Sequence, residues 1–202
     1  MGYAAPTSLA METASVERRA QEHLAAGDLA GAATIVIRGH GVEVLRYLRS
    51  LLRDEGAATD AFSAWAEDVW RGLPAFRGEA SLRGWAFRVA YHAALDVKDE
   101  AWRRRGRRLG TGEASAIADE LRTKTVVRDE RQRQALEELR EALSLEERSL
   151  LALRVDQGLS WVETAAVLAR EGEPVEANAL MKRFERLKER LGRLAKERGL
   201  VD

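Results

Sequence analysis

The stretch that decides the fold runs from Asp60 to Asp96 and reads DAFSAWAEDVWRGLPAFRGEASLRGWAFRVAYHAALD. Its first part carries large apolar side chains at helical spacing, with polar side chains between them. Pro74 ends that pattern, because proline cannot continue a helix and also restrains the residue before it. Beyond the loop 74–81, Ala and Val recur on one face, which predicts a second helix that a neighbouring helix can approach closely. The apolar face of the first helix is expected to carry Phe62, Trp65, Ala66, Val69, Trp70 and Leu73.

The composition favours an all-α protein. Of the 202 residues, 33% are charged, 46% are hydrophobic and only three are proline, and Ala, Leu, Glu and Arg, which are strong helix formers, dominate. The chain has no cysteine, so disulfides, thiolate chemistry and Cys-based zinc sites are excluded. No apolar run approaches the roughly 18 residues of a membrane span, and the N-terminus does not resemble a signal peptide. We expect a cytoplasmic protein without a membrane span or a cofactor.

The pattern along the chain predicts two small helical domains joined by a flexible linker. Apolar periodicity fades after Gly106, where Gly, Thr, Ser and Ala accumulate, and it returns at Arg128. We therefore expect a disordered lead-in over 1–14, a first domain over 15–105, a linker over 106–127 and a second domain over 128–202.

The second domain carries two helix-start signals. Two segments are capping boxes: Ser144-Leu-Glu-Glu147 and Ser160-Trp-Val-Glu163. In a capping box the serine hydroxyl accepts from the backbone N–H of the glutamate, and the glutamate side chain accepts from the backbone N–H of the serine. A turn over 169–174 and a long basic helix follow, which describes a helix-turn-helix unit. The alternative is a plain three-helix bundle with a solvated charged face. In the first interpretation the outward residues that hold phosphates and read base edges are Asn178, Met181, Lys182, Arg183 and Arg186.

A basic cluster ends the first domain. Trp102-Arg-Arg-Arg-Gly-Arg-Arg108 holds five Arg in seven residues, and Arg103, Arg104 and Arg105 are predicted to contact phosphates. A solvated charge run is the alternative. Although the net charge is zero, basic residues gather here and over 182–198, so nucleic-acid binding is not excluded.

Catalytic patterns are scarce. His23, His40 and His92 lie far apart, and neither a phosphate-binding glycine loop nor a nucleophile motif is present. We expect no enzymatic activity and no metal site.

Residues 60–96 resemble domain 2 of the extracytoplasmic-function (ECF) subfamily of bacterial sigma factors. That domain reads roughly D-x-V-Q-E-x-F-x-x-x-W-x-x-L, then F-R-G-x-x-x-F-x-x-W-L-x-x-I-x-x-N-x-x-x-D. The order and spacing match without a gap, and LSLEERSLLALRVDQGLSWVETAAVLA with ALMKRFERLKERL is similar to domain 4 of the same family. The matching domain-2 positions are Asp60, Phe62 (for Val), Trp70, Leu73, Phe76-Arg77-Gly78, Trp85, Val89 (for Ile) and Asp96.

The resemblance implies a non-catalytic factor whose partners are RNA polymerase core, promoter DNA and, in many members of the family, an anti-sigma factor. Domain 2 would bind the polymerase clamp helices and the melted −10 strand, and domain 4 would bind the polymerase flap and the −35 element through the outward residues of the last helix. The implied core-binding residues are Asp60, Ser63, Glu67, Asp68 and Trp70, and the implied −10 residues are Arg77, Arg83, Arg88 and His92.

The chain departs from the family pattern at three places. Ser63 and Ala64 replace the polar pair of the V-Q-E stretch, and His92 replaces an asparagine. The turn Ala169-Arg-Glu-Gly-Glu-Pro-Val175 is about five residues longer than usual. The altered clamp positions leave open a helix-turn-helix regulator acting without polymerase, and the neutral charge leaves open a helical polymerase-interacting protein that does not read DNA.

Overall fold

The computed structural model describes residues 7–78, 80–103, 142–170 and 173–197. Within these ranges every regular element is a helix or a helical turn, which confirms the all-α prediction. The predicted linker over 106–127 lies outside the described residues. The domain boundaries therefore stay predictions.

Four helices form the N-terminal half: α1 (Thr7–Ala25), α2 (Leu29–Leu52), α3 (Glu55–Gly72) and α4 (Leu82–Arg103). Two aspartates start α2 and α3, since Asp28 accepts from the backbone N–H of Gly31 at 2.8 Å and Asp54 from that of Ala57 at 2.7 Å. Because α1 already begins at Thr7, the expectation of a disordered lead-in is wrong for 7–14.

Helix α2 runs without interruption through Gly39 and Gly41. A Cβ atom on Gly39 would lie 2.6 Å from the Val16 side chain. The missing side chain therefore lets α1 pack closely on α2, and this tertiary contact offsets the low helix propensity of glycine.

Three helices form the described C-terminal half: α5 (Leu145–Leu151), which continues as a π-helical turn over Ala152–Asp156, α6 (Trp161–Leu168) and α7 (Ala177–Glu197). Both predicted capping boxes are present. Ser144 and Glu147 exchange side-chain-to-backbone hydrogen bonds at the start of α5, and Ser160 and Glu163 do so at the start of α6. The order of helices and turns is that of the predicted helix-turn-helix unit.

The core is continuous between the two halves. In the N-terminal half, the fully buried Trp65 donates its indole N–H to the Ala86 carbonyl at 3.0 Å, which ties α3 to α4. Buried side chains of the C-terminal half, such as Leu153 and Leu180, belong to the same packed cluster. The described parts of the two halves are thus packed on one another.

Candidate polymerase and nucleic-acid interface

The outer face of α3 is acidic and carries an exposed aromatic side chain. Asp60, Glu67 and Asp68 are exposed, and Trp70 is 52% exposed, so the placement of Trp70 on the apolar face is wrong. The face of α3 that packs on α2 and α4 is filled by smaller side chains and by Trp65, and Trp70 lies just outside it. An exposed tryptophan beside carboxylates is a feature of protein interfaces, because the indole can bury a large area on a partner.

Ser63 is the exception on this face. It is half-buried, and its hydroxyl donates to the Thr59 carbonyl of its own helix at 3.1 Å. Its side chain therefore turns back on α3, whereas Asp68 remains available to a partner. Partial burial raises the pKa of Asp68, and the neighbouring Asp96 and Glu67 raise it further, against the lowering effect of Arg71.

The loop after α3 presents Arg77 to solvent. A short 3₁₀ turn over Leu73–Ala75 follows α3, and Phe76 then packs on Trp85 with ring centroids 5.5 Å apart. Gly78 follows with a φ of +72°, a conformation that favours glycine. The loop is thus anchored by an aromatic pair next to an exposed arginine.

The N-terminus of α4 is capped by two side chains. Ser81 accepts from the backbone N–H of Gly84 at 3.0 Å, and Glu17 of α1 accepts from the backbone N–H of Leu82 at 2.7 Å. The second bond fixes α1 against the start of α4. These caps set the direction in which α4 leaves the loop.

The predicted −10 residues on α4 fall into two classes. Arg88 is exposed, but the side chain of Arg83 is only 11% exposed. Its guanidinium donates to Glu43 at 3.1 Å and, through two N–H groups, to the backbone carbonyl of Gln157 at 3.1 Å each. Arg83 therefore joins the two halves of the chain.

The charges around Arg83 favour the ionised form of the Glu43 carboxylate. Burial of Glu43 opposes its ionisation, but the neighbouring His40 and the charge and hydrogen bond of Arg83 outweigh the burial, and the pKa of Glu43 is lowered. His40 is 1% exposed and its Nδ1 lies 3.9 Å from the same carboxylate. The three side chains form one buried polar group between α2 and α4.

His92 also faces the C-terminal half. It is half-buried and lies beside the backbone of Ala169, the residue after α6. Burial lowers the pKa of His92, and the nearby charge of Arg88 lowers it further. The uncharged imidazole is therefore the favoured form in this position.

The predicted −35 residues share one exposed face of α7. Leu180 and Leu187 are buried beneath them, Phe184 is partly buried, and Met181 is 41% exposed. Arg183 is held by Glu146 of α5 at 2.6 Å. The exposed residues of this face are Asn178, Met181, Lys182, Arg183 and Arg186.

The predicted phosphate contacts fall at the edge of the described ranges. Arg103 is the last residue of α4, and its side chain is not among those described. Arg104 and Arg105 lie outside the described residues. Their role stays a prediction.

Three residues that join the halves were not singled out from the sequence: Tyr47, Ser149 and Gln157. Tyr47 and Ser149 share a hydrogen bond between their buried hydroxyls, and Gln157 accepts from Arg83 at the start of α4. Glu163, predicted only as a capping residue, also accepts from Ser81. The one signal in the sequence is Ser149, a small polar residue within the leucine-rich segment LEERSLLAL. Partners that lie far apart in the chain leave no such signal.

Residues 36–108 match the family model described as sigma-70 region 2. This part of the chain is therefore similar to region 2 of sigma-70 factors. A search of the curated proteins found no match. Among solved structures, the chain is similar to the sigma factor RpoE from Bartonella quintana, which was solved in complex with the anti-sigma factor NepR. The two chains are 18% identical with a TM-score of 0.55, and the match covers 76% of this chain and 90% of RpoE.

These findings confirm the resemblance to ECF-type sigma factors and the sigma-factor fold. Region 2 contains most of α2 and all of α3 and α4, including Arg77, Arg83, Arg88 and His92. No described helix is both long and apolar enough to cross a membrane. Within the described ranges, no group of three or more His, Asp or Glu side chains is arranged to hold a metal ion.

Proposed function

We propose that this sigma factor binds RNA polymerase core and directs it to promoters, without catalysing a reaction itself. The observation that carries the proposal is the sigma-70 region 2 at 36–108, with an exposed acidic and aromatic face on its helix α3. The polymerase clamp helices implied by the family resemblance would meet Asp60, Glu67 and Asp68, and Trp70 would bury its ring on them. Ser63 would contribute little, since its hydroxyl is bonded to its own helix.

The promoter contacts divide between the two halves. Arg77 is exposed in the loop next to Phe76, and Arg88 is exposed on α4. Exposed arginines near an aromatic pair suit a melted −10 strand, in which phosphates and unpaired bases are both accessible. The exposed face of α7, with Asn178, Lys182 and Arg186, would enter the major groove of −35 DNA. We thus propose that the domain over 15–105 binds the −10 strand and that the domain over 128–202 binds the −35 element.

The similarity to RpoE also suggests a protein partner. RpoE was solved with an anti-sigma factor, and we propose that a protein of this class binds the present chain. Co-expression with the product of the adjacent gene, followed by size-exclusion chromatography, would reveal a stable complex.

The decisive experiment is binding to purified core polymerase. Trp70→Ala is expected to weaken core binding at least about tenfold, because large exposed aromatic anchors often contribute about 2 kcal/mol or more at interfaces. Val162→Ala is the matched control, since Val162 is an exposed apolar side chain (73%) on α6, away from α3.

Transcription from a library of promoters with the reconstituted holoenzyme then tests promoter choice. Specific transcripts support the proposal. Absence of core binding by the wild-type chain would contradict it and favour a regulator that acts without polymerase.

A further inference from the structure

The C-terminal helices bind the N-terminal half through a set of specific polar contacts. The hydroxyls of Tyr47 on α2 and Ser149 on α5 hydrogen-bond to each other at 2.5 Å, and these residues are 1% and 0% exposed. Ser81, at the start of α4, donates to Glu163 of α6 at 3.0 Å. Buried polar pairs of this kind are satisfied only in one relative placement of the two halves.

Two of the four predicted −10 residues belong to this contact. Arg83 donates to the Gln157 carbonyl, and His92 is half-buried beside the backbone of Ala169. Neither group can contact a DNA strand while it keeps these partners, because the C-terminal half covers that part of α4. The outer face of α3, with Trp70, stays open.

Two departures from the family pattern meet in the same place. His92 lies beside Ala169, the first residue of the lengthened turn 169–175, within which Arg170 and Glu173 exchange backbone hydrogen bonds of 3.3 and 3.0 Å. The neighbouring Tyr91 is 2% exposed and lies beside Arg170. The start of the lengthened turn is therefore next to α4.

We infer that the C-terminal half is an intramolecular inhibitor of the N-terminal half: it occupies the −10-reading face of α4 through Arg83 and His92, and the lengthened turn completes this contact. The inference rests on the proposed function. Because the α3 face is open in the closed arrangement, core polymerase can bind first. Promoter binding then requires the halves to separate.

Ser149→Glu tests the inference, because a carboxylate in place of the buried hydroxyl cannot be accommodated against Tyr47 without separating the halves. Val155→Glu is the matched control, since it adds the same charge at a position of the C-terminal half that is 62% exposed. A negative charge by itself weakens DNA binding, so a gain in affinity cannot be an electrostatic artefact.

Two measurements on the full chain are needed: the radius of gyration by small-angle X-ray scattering, and the affinity for a fluorescein-labelled single-stranded 15-mer of random sequence. Ser149→Glu is expected to increase both. If the closed form is about 90% populated, full opening raises the apparent affinity about tenfold. Wild type and Val155→Glu should have the same radius of gyration, and neither should gain affinity.

An unchanged radius of gyration in Ser149→Glu, or an opened chain with no gain in affinity, overturns the inference. Should circular dichroism show that Ser149→Glu has lost helix, Ser149→Ala replaces it. This variant only leaves the Tyr47 hydroxyl unpaired, and a gain of about threefold is expected if the closed population falls from about 90% to about 70%. Core binding is measured separately: its absence in an opened chain contradicts the proposed function and not the inference.

Discussion

The Arg83–Glu43 ion pair allows a quantitative test of the burial of Arg83, the residue that also contacts the C-terminal half. The two side chains are 11% and 15% exposed, and the guanidinium also donates to the Gln157 carbonyl. Removing one partner of a buried ion pair costs about 3–5 kcal/mol, because the other charge is left without a partner. Since both groups keep some solvent contact and His40 remains 3.9 Å from Glu43, we expect Arg83→Ala to lower the free energy of unfolding by about 2–3 kcal/mol.

Arg71→Ala is the matched control. Arg71 forms an ion pair with Glu67 at 2.9 Å in which the side chains are 72% and 64% exposed, and such pairs contribute about 0.3–0.5 kcal/mol. Urea denaturation followed by circular dichroism compares the two variants. With a slope of about 2 kcal/mol/M, Arg83→Ala should lower the urea midpoint by roughly 1 M, and Arg71→Ala should barely change it. Equal urea midpoints for Arg83→Ala and Arg71→Ala would refute the conclusion that Arg83 forms a buried ion pair.

Three further predictions concern the C-terminal half and its contact with α4. Ser160→Ala should destabilise the chain by about 1 kcal/mol, measured by thermal denaturation, because α6 loses its capping box; an unchanged melting temperature would contradict this. Lys182→Ala should weaken binding to promoter duplex and reduce the slope of log K against log salt by roughly 0.9. Lys188→Ala, which removes a lysine paired with Glu185 on the same helix, should leave that slope unchanged, and equal slopes for the two variants would show that this face does not meet DNA. Since the pKa of His92 is lowered in the folded chain, its contribution to stability is complete above pH 6.5, the ordinary value, and is lost as the pH falls through the lowered value. His92→Gln should therefore flatten the loss of stability between pH 7.5 and 5.5, and identical pH profiles would contradict the proposed environment.

Local features of the sequence predicted much of the helical architecture. The apolar spacing of α3, the proline after it and the serine–glutamate pairs before α5 and α6 act over three or four residues, and helix geometry converts such spacings directly into faces and caps. The exposed face of α7 was predicted for the same reason. Local features do not reveal tertiary contacts: glycine has a low helix propensity, and it is close packing on Val16 that favours glycine at position 39 of α2.

The sequence by itself determined that this chain is all-helical, that it carries a sigma-factor region and which side chains face outward on α7. Only the tertiary structure decided what Arg83 and His92 touch. Arg83 and Gln157 are 74 positions apart, and no periodicity relates residues at such a distance, because their contact depends on how two separately formed helical surfaces dock. The placement of Trp70 outside the core was decided in the same way, by which neighbouring helices fill the space beside α3.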